Sequence, residues 1–392
     1  MAISHGHKRY TIAEVLGKDA PARPRCTLAR GGATVKCMPQ IRTDLDAIPA
    51  YVPGRSAPGA IKLASNEVTQ GPLPAAQEAI AEAAAAGNRY PDISAYALRT
   101  ELAAQFDTTP ENIAVGCGSS ALCQQIIQAT CTEGDEVLFG WRSFEAYPIL
   151  TRVALATPVQ VPLATDGSLD LDAMAAAITD RTRLIFLCTP NNPTGPALAA
   201  SDVIRFLERV PERVTVALDE AYYEYCRRDD KVEGFEMALR GAHPNVVALR
   251  TMSKAYGLAG LRVGYMAGST EIVAAVNKMS VPFSVSVVAQ AAAIASLRSG
   301  AELLARTDAV IAERERCRAA LLDLGFSVPV SEANFLWLPL GDAALPFNEW
   351  CAERGVLVRA FAGTGVRVSI GAPEEMAAFL DAASAWTHRE HQ

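Results

Sequence analysis

From about residue 75 to residue 290 the chain alternates between two hydrophobic periods. Apolar residues at helical spacing run through "PAAQEAIAEAAAAG", which Gly87 closes, and through "SSALCQQIIQATC" and "ASDVIRFLERV". Between them lie short, nearly continuous apolar runs: "NIAVGCG", "DEVLFG", "TRLIFLCTP", "RVTVALDEAY", "NVVALRTMSK" and "LRVGYMAG". Runs of this length, bounded by Gly, Pro or polar residues, predict strands buried on both faces. Such strands alternating with helices predict an α/β fold, a mostly parallel central sheet with helices on both faces. Polar residues at the carboxyl ends of those strands should line a ligand crevice.

The pattern changes at about residue 295. A long charged helix, "GAELLARTDAVIAERERCRAALLDLG", leads into short strands, "NFLWLPL", "VLVRAF" and "VRVSIG", and a last helix, "PEEMAAFLDAASAWTHR". This predicts a smaller α+β domain. The expected organisation is residues 38–74 as an N-terminal arm and part of the small domain, 75–290 as the large domain and 291–392 as the small C-terminal domain. Residues 1–37 are rich in Lys, Arg, Pro and Gly and keep no period, so they read as a disordered or non-native extension. Met38 then reads like a natural beginning.

A chain of 392 residues suits a large domain with a smaller companion. Half the residues are apolar and the net charge is −7, which argues against a nucleic-acid partner. No apolar run is long enough to span a bilayer, and the first residues lack the apolar core of a secretory signal. A cytoplasmic location is expected. The nine Cys are scattered and none pairs at zinc spacing, so buried reduced thiols are expected and no metal site.

Four polar clusters fall at strand ends. In "GCGSSAL", Gly116, Gly118 and Ala121 match the dinucleotide fingerprint G-x-G-x-x-G/A. A nicotinamide site also wants an acid near the end of the next strand. Here Asp135 and Glu136 precede that strand, while Trp141 and Arg142 follow it. What the motif retains is a helix start whose free N–H groups attract phosphate. Taken alone, it is equally well a plain strand-to-helix turn. "LDEAYYEY" ends a strand with Asp219; a buried carboxylate needs a cation, and a protonated ring nitrogen would be one. Tyr222 lies within reach of the same ligand, although a turn-capping Asp219 explains the motif as well. In "TPNNPTG", the position of Asn192 before Pro193 favours an extended backbone that projects its amide. In "TMSKAYGLAGLRVGY", desolvation should lower the pKa of Lys254 and make it a nucleophile. Thr251, Ser253 and Arg262 suit a phosphate clamp. A reactive lysine, a phosphate clamp and an acid for a pyridinium together describe pyridoxal 5'-phosphate (PLP) chemistry.

With these motifs in order, N-P-T-G, D-E-A-Y, S-K with Arg eight residues on, and a late R-V-S-I-G, the chain resembles the fold-type I PLP aminotransferases from about residue 38 to 388. It is most similar to the histidinol-phosphate aminotransferase branch with its actinobacterial aromatic amino acid aminotransferases. The resemblance implies PLP as cofactor, a PLP-binding domain over 75–290 and a homodimer with shared active sites. It makes Lys254 the Schiff-base lysine and proton shuttle, and Asp219 the partner of the pyridinium nitrogen. Tyr222 and Asn192 become the pair that bonds the ring's phenolic oxygen. Ser119, Ser120, Ser253 and Arg262 form the phosphate cup, and Phe144 stacks on the ring. Tyr90 in "NRYPD" reaches the phosphate of the neighbouring subunit's cofactor, and Tyr51 in "YVPGR" the neighbour's substrate. Asn66 in "LASNE" sits beside the substrate. Arg367 grips the substrate's acidic group, with Arg359 a second candidate.

In the common histidinol-phosphate pattern, G-S is usually followed by an acidic or Asn residue and then Glu. This chain has Gly118-Ser119-Ser120-Ala121 instead, and its "GWRSFEAYP" segment resembles the actinobacterial aromatic enzymes. The expected reaction is therefore transfer of an amino group from an aromatic amino acid such as phenylalanine to 2-oxoglutarate, by a ping-pong route. Histidinol phosphate is the alternative donor, and a nicotinamide-dependent oxidoreductase a remote alternative.

Overall fold

The computed structural model describes residues 41–51 and 54–389, the last by its backbone alone. The extension expected over residues 1–37 lies outside the described residues. The chain divides after Ala47. The described part of the first unit holds a 3-10 turn, Thr43–Ala47.

Among the described residues of the second unit, twelve strands form three sheets: β1 (Ile61–Lys62), β2 (Ile113–Gly116), β3 (Glu136–Trp141), β4 (Thr157–Pro162), β5 (Thr182–Cys188), β6 (Thr215–Asp219), β7 (Val246–Thr251), β8 (Gly264–Ala267), β9 (Phe335–Gly341), β10 (Val356–Leu357), β11 (Arg359–Phe361) and β12 (Thr364–Ser369). The large sheet has the order β2-β8-β7-β6-β5-β3-β4. All its pairings are parallel except those of β8, which runs antiparallel to both β7 and β2. The mostly parallel α/β sheet expected from the apolar runs is thus present, with β8 reversed.

Alternation along the central strands explains why those runs are unbroken. Val137, Phe139, Leu184, Phe186, Ala217, Val247 and Leu249 enter one core, on the side of the helix Ser119–Thr130. Leu138, Ile185, Leu187, Val216, Leu218, Val246 and Ala248 enter the other. Successive strand residues point to opposite faces, so a sheet covered on both sides needs apolar residues at every position. β4 escaped the sequence analysis. It lies at the sheet edge, carries Pro158 and Pro162, and is mostly open to solvent. Proline cannot donate to a ladder, so an edge is where such a strand belongs.

The same alternation sorts the polar residues at the strand ends. Asp219 follows Leu218 and so falls on the side of Ala217. Glu220 and Arg250 fall on the opposite side, where Arg250 Nε donates to Glu220 at 2.9 Å. Both side chains are buried. The guanidinium lies 3.3 Å from the Tyr223 ring centre and 4.6 Å from that of Phe235. The backbone N–H of Gly234 donates to the other Glu220 oxygen at 2.7 Å. A charge pair this enclosed is held by geometry and extra hydrogen bonds, which offset its desolvation.

A small antiparallel sheet, β11-β12-β9, carries the late motifs. The run "VLVRAF" was expected as one strand. It divides at Val358: β10 pairs in parallel with β1, and β11 pairs with β12, where Arg359 faces Arg367 in register.

Replacing Arg250 by Ala leaves Glu220 buried without its cation. The expected cost is about 3–5 kcal/mol, read as a fall in the urea midpoint. The double replacement Glu220→Leu with Arg250→Met removes both charges and should cost clearly less. Equal losses would show that packing, and not charge, governs this cluster.

Candidate active site

The carboxyl ends of β5, β6 and β7, the start of the helix Ser119–Thr130 and the strands β11 and β12 enclose a cavity of about 570 Å³. Its walls include every residue that the resemblance placed at the site except Tyr90: Tyr51, Asn66, Ser119, Ser120, Phe144, Asn192, Asp219, Tyr222, Ser253, Lys254, Arg262, Arg359 and Arg367.

Asp219 is buried. It accepts a hydrogen bond from the Tyr147 hydroxyl at 2.5 Å and one from the Ala221 amide at 3.3 Å. No cation pairs with it among the described residues. Burial therefore raises its pKa, against the pull of the phenol and the amide. A protonated ring nitrogen arriving in the cavity would reverse that balance.

Lys254 follows β7 and lies half-buried, its amine donating to the Ser65 carbonyl at 3.2 Å. Desolvation, reinforced by the nearby guanidiniums of Arg367 and Arg262, lowers its pKa to about 8. A nucleophilic amine is thereby available close to neutral pH.

The anion cup is built from backbone and one arginine. Gly118 caps the helix Ser119–Thr130 with φ +79° and no side-chain cap. The first-turn amides of Ser119 and Ser120 have no intrahelical acceptor and lie at the positive end of the helix dipole. A Cβ at Gly118 would strike the Arg262 guanidinium. Arg262 holds a left-handed backbone, φ 58°, and turns back to donate to the Ser253 hydroxyl at 3.1 Å and the Ala259 carbonyl at 2.9 Å. Thr251 donates to the same Ser253 oxygen at 3.1 Å. Strain of this kind persists where surrounding structure fixes the residue.

At the opposite wall, Arg367 is buried. It donates to the Asn192 side-chain oxygen at 2.6 Å and the Ala64 carbonyl at 2.8 Å, while its Nε has no partner. Asn66, also left-handed at φ 55°, donates to the Tyr222 hydroxyl at 2.9 Å. Burial pushes the Tyr222 phenol well above its ordinary pKa. The two asparagines of "TPNNPTG" divide the work. Asn191 locks the loop through Arg142, Ser143 and Thr194, and Asn192 faces the cavity. Arg359 donates to both oxygens of Glu145, at 2.9 and 3.2 Å.

Tyr90 stands apart. It is 82% exposed and stacks on Phe283 at 4.6 Å. Tyr51, expected at a neighbour's substrate, lines the cavity of its own chain. Sequence reasoning missed Tyr147 and Glu145. Glu145 follows Phe144 directly and Tyr147 lies on the helix that begins at Ala146, all within the segment "GWRSFEAYP" already singled out. A larger cavity, of about 1530 Å³, is lined by residues such as Trp141, Arg142, Arg228 and Trp337 and includes none of the candidates.

These residues fit PLP. The buried acid without a cation suits the pyridinium, the uncapped helix start with Arg262 suits the phosphate, and Lys254 suits the aldehyde. Sheet order, strand-end acid and enclosed lysine together define a fold-type I aminotransferase. Residues 58–382 match the family model "Aminotransferase class I and II", and the chain belongs to that family. It is 61% identical to the aromatic amino acid aminotransferase of Rhodococcus opacus (strain B4) over 342 residues, 87% of this chain and 94% of that protein. It is 56% identical to the aromatic amino acid aminotransferase of Mycobacteroides abscessus over 347 residues, 88% and 99% of the two chains. Among solved structures, the histidinol-phosphate aminotransferase of Sinorhizobium meliloti in complex with pyridoxal-5'-phosphate is similar with a TM-score of 0.81 at 28% identity. The match covers 90% of this chain and 98% of that one. Membership of the aminotransferase family sets aside the oxidoreductase reading of Gly116–Ala121. Among the described residues, no single helix is long and apolar enough to cross a membrane, and no cluster suits a metal ion.

In protein stripped of any bound aldehyde, acetic anhydride should label Lys254 faster as pH rises, with a midpoint about 8. The neutral amine is the reactive form, and it becomes populated above that pKa. Labelling that rises only toward pH 10.5, the ordinary lysine value, would show an amine that is not desolvated.

Proposed function

We propose that the chain is a PLP-dependent aminotransferase that takes the amino group of an aromatic amino acid, such as phenylalanine, and passes it to a 2-oxo acid, 2-oxoglutarate in the first instance. The observation that carries the donor is the 61% identity to an aromatic amino acid aminotransferase over most of both chains. The cavity agrees with it. Ala146, Ile149 and Leu150 present an apolar wall from one helix beside Phe144, which suits a flat ring.

When bound, PLP supplies the electron sink for breaking the substrate's Cα–H bond. Asp219 keeps the proton on the ring nitrogen. Tyr222 and Asn192 donate to or orient the phenolic oxygen, Phe144 stacks, and Ser119, Ser120, Ser253 and Arg262 hold the phosphate. Lys254 would hold the aldehyde of the bound cofactor, and its amine, poised near neutral pH, would be the group that accepts the proton from the substrate's Cα. Arg367, with its unpartnered Nε, receives the substrate carboxylate, and Asn66 orients the phenol beside it. The keto product leaves before the acceptor enters, so the kinetics are ping-pong.

The protein acts as a homodimer in this reading. Tyr90, Ile93, Tyr96 and Val281 expose apolar surface, and Tyr90 stacks on Phe283 within it. Exposed patches of this kind mark interaction faces. Tyr90 would cross to the partner's cofactor phosphate, whereas Tyr51, expected from the resemblance at the partner's substrate, lines the cavity of its own chain. In this reading residues 75–290 form the large domain and 291–392 the small one, with 38–74 as the N-terminal arm and part of the small domain. The seven described cysteines are free thiols, which suits a reducing cytoplasm. Histidinol phosphate remains the second reading, favoured by the likeness to the Sinorhizobium meliloti enzyme and by two arginines facing each other on β11 and β12.

A single-turnover spectrum separates the donors. Phenylalanine should discharge the visible absorbance of the PLP-loaded protein fast, and histidinol phosphate slowly. The opposite order would transfer the chain to the second reading. Lys254→Ala should lose that absorbance and nearly all turnover; an active variant would overturn the mechanism. Sedimentation should give a dimer, and Tyr90→Ala should weaken it. An active monomer would end the shared-site assignments of Tyr90 and Tyr51.

A further inference from the structure

Glu145 is a second carboxylate in the cavity, and the reaction described above gives it no task. It sits between Phe144 and the helix Ala146–Val153, whose Ala146, Ile149 and Leu150 line the ring wall. Its two oxygens accept from one Nη of Arg359, and the pair is largely enclosed, with side-chain exposures of 28% and 15%. Arg359 stands directly opposite Arg367 across the β11–β12 pair. Without Glu145, two guanidiniums on neighbouring strands would face the substrate's acidic end together.

The charges lining the cavity can be assigned one by one. Arg262 belongs to the cofactor phosphate, Asp219 to the ring nitrogen and Lys254 to the aldehyde. Glu67 is tied to Lys62 at 2.7 Å. Arg359, Arg367 and Glu145 are left for the substrate, two positive charges and one negative. A carboxylate, with one negative charge, matches that remainder. A phosphate monoester carries about −1.5 to −2 at pH 7 and does not. In a low-dielectric cavity one uncompensated charge is a strong discriminator.

We propose that Glu145 is a specificity-determining residue. By neutralising Arg359, it sets the substrate end of the cavity for a single negative charge and so selects amino acids over phosphate monoester amines. The inference rests on the aminotransferase reading and adds to it the reason why one donor class is preferred. It concerns recognition of the acidic end alone, and the ring is read elsewhere, by Phe144 and the wall beside it.

The test uses two amine-free ligands with the same ring and different acidic ends, 3-phenylpropionate and 2-phenylethyl phosphate. Their dissociation constants are measured by calorimetry on the PLP-loaded protein. The native protein should prefer the carboxylate. Glu145→Gln should raise the ratio of phosphate to carboxylate affinity by about tenfold or more, because a full charge is removed beside the ligand. That gain should grow from pH 6 to pH 8 as the phosphate loses its second proton, with pKa about 6. Adding Arg359→Gln to Glu145→Gln should abolish the gain, since the Arg359 charge is its source. A ratio that Glu145→Gln leaves unchanged, or a gain that survives loss of Arg359, would overturn the proposal. Failure of the donor reading is distinguishable: a native protein that transaminates histidinol phosphate faster than phenylalanine fails that reading, while the two ligands still report whether Glu145 subtracts phosphate affinity.

Discussion

A carboxylate buried at the end of a strand, with a phenol and an amide as its donors, is the constraint on which the site depends. Asp219 gains its position from β6, whose neighbours β5 and β7 hold it in the middle of the sheet. Burial alone would neutralise such a group. The Tyr147 hydroxyl and the Ala221 amide oppose that tendency, and a cationic ligand completes the balance. A buried acid of this kind is a poor contributor to stability and a good contributor to ligand affinity, because its electrostatic deficit is made good only when the cofactor arrives.

The sheet separates this unfinished electrostatics from a finished one. Asp219 and Glu220 are adjacent in sequence and lie on opposite faces. Glu220 meets Arg250 among aromatic rings, complete within the protein, and Asp219 meets the cavity. A one-residue step within a two-residue period puts one acid in a closed ion pair and the other at the cavity, and nothing but strand geometry does it. The same economy governs "TPNNPTG", where one asparagine closes the loop and the next faces the ligand.

Much of this was legible from residues alone, because the sheet is buried on both faces and its strands read as unbroken apolar runs. The motif residues lie at the ends of those runs, so finding the strands nearly finds the site. What escaped had a physical reason. β4 is a proline-bearing edge strand and carries no apolar run. "VLVRAF" looks continuous, yet its halves join different sheets, which no local pattern encodes. Tyr147 lies on the helix Ala146–Val153 and Glu145 just before it, and their partners, Asp219 and Arg359, are 72 and 214 residues away. Tyr90 was found by motif and lies on the surface of this chain, away from the cavity.

The division of "VLVRAF" ties the beginning of the fold to its end. β10 pairs with β1, the Leu63 amide donates to the Leu357 carbonyl, and Leu63 accepts from the Ser369 amide. The chain then passes Ala64, whose carbonyl holds Arg367, and reaches Asn66, whose amide and side chain engage the Ser369 hydroxyl. Residues 61–66 are therefore a lacing thread through the small sheet. Because this thread touches both Arg367 and the phenol of Tyr222, slack in it would loosen two walls of the cavity at once. A chain folded from 67 onward would keep Asp219 on its strand, while Arg367, Tyr222 and the Lys254 amine would each lose a partner that the thread supplies.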